Sequence, residues 1–126
     1  MGHLIACISD DKHLDSVDKI IHSKMFDKIY LISHHDIEPT LPKIPGIAIT
    51  HVKINFESSS EALVPELYSI LKKYFTNDKI TDLDIAVNIS SGNGKQHAVI
   101  ISSLMKLGYG IRLVDLDKNG NILEMI

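Results

Sequence analysis

The stretch 88–100, Asn-Ile-Ser-Ser-Gly-Asn-Gly-Lys-Gln-His-Ala-Val-Ile, joins the end of an apolar strand to the start of an apolar helix through small polar residues and two glycines. Upstream, "LDIAVNIS" (83–90) has the length and composition of a strand, and downstream "KQHAVIISSLMKLG" (95–108) has helical periodicity stopped by Gly108. A strand passing through a glycine turn into a helix is half of a βαβ unit. The rest of the chain repeats that alternation.

"HLIACIS" (3–9) and "KIYLISH" (28–34) are strand-length apolar runs. Between them, "DKHLDSVDKIIHSKM" (11–25) places Leu14, Val17, Ile21 and Met25 on one helical stripe. "DIEPTLPKIPG" carries three prolines and reads as an extended loop before a third strand, "IAITHVKINF" (47–56). "SSSEALVPELYSILKKYFT" (58–76) reads as a helix with a Ser58/Glu61 capping box and a buried face of Leu63, Leu67, Ile70, Leu71 and Tyr74. Pro65 is awkward inside that start and offers itself as an alternative first residue. At the end, "IRLVDLD" and "ILEMI" flank "KNGN", where Asn-Gly predicts a two-residue hairpin. Strands alternating with helices, closed by a hairpin, predict a Rossmann-like three-layer α/β sandwich. Its six-stranded sheet would be mostly parallel and end in one antiparallel strand.

The bulk numbers agree. A chain of 126 residues is read as one domain, 1–126, large enough for a proper core. No apolar run approaches a membrane span, and "MGHLIACISD" lacks the basic start of a secretory leader. The single cysteine, Cys7, sits among apolar residues and reads as a buried, inert thiol, so a cytoplasmic setting is expected. Lysine and arginine total 13 against 16 acidic residues, a net charge of −3, which argues against gripping long DNA or RNA by its backbone. A compact anion held by a few placed donors stays open, because such a site needs only local positive potential.

In open α/β sheets, ligands sit beyond the carboxyl ends of strands where strand order reverses. The candidate loops are therefore Ser9, Asp10 and Asp11 after the first strand, and Ser90 to Lys95 after the fourth. Three familiar phosphate or nucleophile loops are absent. The first strand-to-helix turn, "SDDKHLD", has no glycine for a dinucleotide fingerprint; Ile89 and Gln96 break a P-loop; and no GxSxG occurs. What remains is physical. Gly92 and Gly94 permit positive φ and close backbone approach, the first amides of the helix are unpaired, and Lys95 adds a full charge at the same end. A lysine in the first turn opposes the helix dipole, and a bound anion would compensate. Ser90, Ser91, Asn93 and Gln96 add donors, and His97 reads either as a ligand contact or general acid or as a plain surface or core residue. The alternative is a plain turn with a solvated lysine.

The order of elements, the "NISSGNGK" loop and the closing hairpin "IRLVDLDKNGNILEMI" resemble a CARF domain, the CRISPR-associated Rossmann fold. That family often shows an Asn-x-Thr-Gly-Gly-Thr-(Lys/Arg)-like loop. Asn88, Ser90, Gly92, Asn93 and Lys95 stand in roughly those roles, with Ser91 replacing one glycine and Gly94 an extra residue. The resemblance implies a homodimer binding a cyclic oligoadenylate, cyclic tetra-adenylate as first choice, across its two-fold axis. It further implies either a stand-alone ring nuclease that switches off type III CRISPR signalling or a non-catalytic sensor, such as the ligand-binding half of a regulator. In the ring nuclease a ribose 2′-hydroxyl attacks the adjacent phosphate without a metal or other cofactor. By resemblance Lys95 would stabilise the phosphorane and Ser9 would orient the attacking group, with Asp10 and Asp11 either capping the first helix or touching ribose or base. The helix from 95 is apolar around most of its circumference, so one flank can face the sheet and the other a partner. Ser58 to Ser60 start a helix and can also close over a ligand. The His34-His35-Asp36 run lacks metal-site spacing, and no metal is expected.

Overall fold

The computed structural model describes residues 2–9, 14–39 and 43–125, forming six strands and three helices. In chain order these are β1 (Gly2–Ile8), α1 (Leu14–His22), β2 (Phe26–His34), β3 (Ala48–Ile54), α2 (Ser60–Asn77), β4 (Asp84–Asn88), α3 (Gly94–Leu107), β5 (Gly110–Leu116) and β6 (Ile122–Glu124). One sheet has the order β3-β2-β1-β4-β5-β6. All neighbours pair in parallel except β5 and β6. The predicted Rossmann-like sandwich is what the chain forms.

The central strands are apolar through their middles because both faces are covered there. Along β1, Ile5 and Cys7 join the core under α2 and α3, whereas Leu4, Ala6 and Ile8 join the core under α1. Strand β2 splits the same way, Tyr30 and Ile32 to one side, Ile29 and Leu31 to the other. Helix α2 buries Leu63, Leu67, Leu71 and Phe75, the predicted stripe with Phe75 taking the place of Tyr74, which like Ile70 is partly buried. The Phe75 ring lies 5.1 Å from Tyr30 and 5.3 Å, edge-on, from Tyr109, so α2 is locked across the sheet by aromatic contacts.

Four local expectations change. Helix α1 stops at His22, Lys24 takes a left-handed φ of 59°, and Met25 is 51% exposed rather than on the buried stripe. The α2 cap is Ser59, whose hydroxyl accepts from the Ala62 amide, so no Ser58/Glu61 box forms. Pro65 lies inside the helix rather than at its start, at an exposed position four residues after the exposed Glu61. The closing hairpin is not a two-residue Asn-Gly turn: Gly120 at φ 80° donates to the Asp117 carbonyl, and the Asp117 carboxylate accepts the amides of Asn119 and Asn121. That carboxylate favours a right-handed turn before the glycine, and Asn119 keeps a negative φ.

The chain winds outward from β1 to β3, returns through α2 to β4 on the other side of β1, and winds outward again. Strands β1 and β4 are neighbours, Ala6 pairing with Asn88, so the loops after them meet at one switch point.

Candidate functional site

The two loops are stitched together. The Ser9 amide donates to Ser91 Oγ at 2.9 Å, the two hydroxyl oxygens lie 2.8 Å apart, and the Gly92 amide donates to Ser9 Oγ at 3.1 Å. Residues 82 positions apart thus share one small hydrogen-bond circuit at the head of β1 and β4. Asp10 and Asp11 lie outside the described residues.

The floor of the loop is built by side chains that turn inward. Asn88, fully buried, donates from its amide nitrogen to the Val114 carbonyl, and its oxygen accepts from the Ser90 hydroxyl. Gln96 is also buried; its Oε1 accepts the Asn93 amide while Asn93 Oδ1 accepts the Gln96 amide, a reciprocal capping box. The Cys7 thiol points at Gln96 Oε1 from below, at 3.8 Å, and burial pushes its pKa up to about 12. Alkylation by iodoacetamide at pH 8 should therefore be negligible in the native protein and should track unfolding when followed by mass spectrometry across a urea series.

Of the two glycines, only Gly92 needs to be one on backbone grounds. It sits at φ 104°, and a Cβ there would fall 2.7 Å from Gln96 Oε1, 2.8 Å from Cys7 Sγ and 3.0 Å from His97 Nε2. Gly94 is the first residue of α3, without positive φ, and a Cβ there would meet nothing within 4 Å. Its place is open space. The amides of Gly94 and Lys95 have no partner among the described residues and lie at the helix mouth, where the macrodipole is positive.

His97 lies one turn into α3 with Nε2 2.7 Å from the Ser91 carbonyl. A carbonyl only accepts, so Nε2 carries the proton and the ring steadies the loop's backbone. Lys95 reaches sideways: its ammonium donates at 2.6 Å to the Ser58 carbonyl, just ahead of α2. The N-termini of α2 and α3 therefore stand side by side, bridged by a lysine that contacts a carbonyl and forms no ion pair among the described residues. By contrast Arg112 lies beside Asp84 at 3.1 Å and Glu124 at 3.9 Å, in a cleft of about 480 Å³ near Gly2 and Phe26. Its charge is already neutralised.

The loop between β3 and α2 is held from the far side too, since the Phe56 amide donates to His34 Nδ1 at 3.1 Å. Neither that bracket nor the Ser58 carbonyl was legible in the sequence, because backbone groups carry no residue signature. The one available hint was the lysine placed against the helix dipole. Among the described residues, no group of three His, Cys, Asp or Glu side chains is placed to hold a metal ion. No helix of the described residues is long and apolar enough to cross a membrane.

No protein-family model matches the chain, and no curated protein matches it in sequence. Among solved structures, the chain is similar to Enterococcus italicus Csm6 bound to cyclic hexa-2′-fluoro-hexa-dAMP, with a TM-score of 0.65 and 13% sequence identity. The match covers 94% of this chain and 34% of that one, so the chain spans about a third of the length of that protein. The likeness is one of fold: the chain shares the Rossmann-like α/β architecture of the matched part of that structure.

Proposed function

We propose that this chain is a single CARF-like domain that binds a cyclic oligoadenylate across the two-fold axis of a homodimer and cleaves it without a metal. Cyclic tetra-adenylate is the first choice of ligand, and the role is that of a cytoplasmic ring nuclease switching off type III CRISPR signalling. The observation that carries the reading is the switch-point loop itself. At one helix end it carries amides of Gly94 and Lys95 without a partner among the described residues, an ammonium paired with no carboxylate among them, and the open space in front of Gly94. The cyclic ligand of the similar Csm6 structure is a polyanion of the class such a mouth would hold.

The homodimer draws support from α3. Val99, Ile100 and Leu104 are buried, but the flank carrying Ile101 and Met105 borders an apolar groove of about 330 Å³ with Tyr109, Ile111 and Leu113, and Met105 is 66% exposed. A second copy packed there would repeat the same lysine-bearing helix and give a ring of repeated nucleotides matching contacts. In the reaction, a ribose 2′-oxygen attacks the adjacent phosphorus and the 5′-oxygen leaves. Lys95 offsets charge on the phosphorane, and Ser9 orients the attack on that phosphate. Asp10 and Asp11 are proposed at the rim of the same site.

Incubation with cyclic tetra-adenylate in EDTA is the deciding experiment. Linear products ending in 2′,3′-cyclic phosphate are expected; an intact ring that binds tightly would replace cleavage by sensing, and absence of binding would defeat the assignment. The sensor reading, the ligand-binding half of a larger regulator, is favoured by one observation, the 34% of the Csm6 chain that this fold covers.

A further inference from the structure

Ser9 sits in a hydrogen-bond circuit whose protons can be counted. A hydroxyl has one proton and two lone pairs. Ser91 Oγ accepts the Ser9 amide, Ser9 Oγ accepts the Gly92 amide, and the two oxygens, 2.8 Å apart, share a single proton between them. Two arrangements satisfy those distances. If Ser9 supplies the shared proton, Ser91 Oγ accepts two bonds and its own proton is left over. Ser91 is 1% exposed, and Ser9 is its hydroxyl's sole hydrogen-bond partner among the described residues, so among these that buried proton would have no acceptor. If Ser91 supplies it, the buried hydroxyl both accepts and donates, and no proton of it is left over. Ser9, half-buried, is then the residue left with a spare proton, and both of its lone pairs are occupied.

From this circuit we infer that Ser9 meets the ligand only as a hydrogen-bond donor to an anionic phosphoryl oxygen, and not as an acceptor from the ribose 2′-hydroxyl. The inference rests on the ligand class proposed above and sharpens it. Tetrahedral geometry at Oγ sends the spare proton away from Ser91 and Gly92. The Gly94 and Lys95 amides are also donors, and the space in front of Gly94 is clear to 4 Å. Together with the Lys95 ammonium they form a set of donors with no acceptor among them, suited to an oxygen that carries charge and no proton. The chemistry then divides cleanly. The 2′-oxygen–phosphorus bond forms, the 5′-oxygen–phosphorus bond breaks, the 2′-proton leaves to water and the 5′-oxygen takes one from water, while Ser9 keeps its own proton throughout. Its hydrogen bond strengthens as charge builds on the non-bridging oxygens.

The test compares affinities of the wild type and Ser9→Ala for cyclic tetra-adenylate and for the same ring made with 2′-deoxyribose. The expected result is an equal loss on Ser9→Ala with both rings, about tenfold, as for one charge-assisted hydrogen bond. A loss that appears with the ribose ring and vanishes with the deoxy ring would assign Ser9 to the 2′-hydroxyl and overturn the inference. Should Ser9→Ala fail to fold by thermal melting, Ser9→Cys, which fills the same space with a weaker donor, is read against the same two rings by the same criterion. A wild-type protein that binds neither ring overturns the ligand assignment itself, an outcome visible before any variant is made.

Discussion

Lys95→Ala should lose ligand affinity by about 10- to 100-fold, the worth of a charge-assisted hydrogen bond, and should lower single-turnover cleavage by a further factor of about 10² to 10³. The two losses have different origins. In the bound ground state the ammonium meets a phosphodiester charge spread over two oxygens; in the phosphorane more charge collects there, and a fixed cation is worth more. Stability should move little and in the opposite direction. The side chain is exposed, its one partner is the Ser58 carbonyl, and a cation in the first turn of α3 opposes the helix dipole. Removing it should leave the melting temperature unchanged or slightly raised. Calorimetric affinity, a single-turnover time course and a thermal melt on the same preparation check all three. A variant that cleaves at the wild-type rate removes Lys95 from the mechanism, and one that melts far below the wild type makes the lysine structural.

Gly92→Ala should be the most damaging small substitution in the loop, destabilising by about 2–5 kcal/mol through left-handed backbone strain together with overpacking. At φ 104° an L side chain is strained whatever the space, and here there is none: the new methyl meets Gln96 Oε1 at 2.7 Å and Cys7 Sγ at 2.8 Å. Neither neighbour can yield cheaply. Gln96 is held in the capping box of α3, and Cys7 belongs to the central strand. A drop in melting temperature on the order of 10 °C is expected for a domain of this size, with loss of ligand binding. Gly94→Ala is the internal control. Its helical backbone and empty surroundings predict a fold as stable as the wild type, so any loss of affinity reports crowding of the ligand's path. Equal melting temperatures for the two variants would refute this division of labour.

Much of the layout was legible because hydrophobic periodicity is local. The doubly covered strands β1 and β2 read as continuous apolar runs, the Leu63–Leu67–Leu71 stripe read as a helix face, and Gly108 marked the end of α3, where it adopts φ 92°. The misreadings were also local, and each was decided by competition between nearly equal options. Ser58, Ser59 and Ser60 can each cap a helix, and Ser59 does so. Asn119-Gly120 invites a tight mirror-image turn, but the Asp117 carboxylate takes two amides and stabilises another.

Residue type and spacing suffice to specify the alternation of strands and helices, the apolar stripes and a loop with glycines and a lysine at a helix mouth. It takes the folded chain to set β4 beside β1, to close Ser91 onto Ser9, to turn Asn88 and Gln96 inward and to carry Lys95 across to Ser58. Each of those pairings joins groups through backbone amides, carbonyls or short hydroxyls that any residue or many residues supply. Their partners are chosen by strand order and by the requirement that buried polar groups be satisfied, and neither constraint is written in the spacing of side chains along the chain.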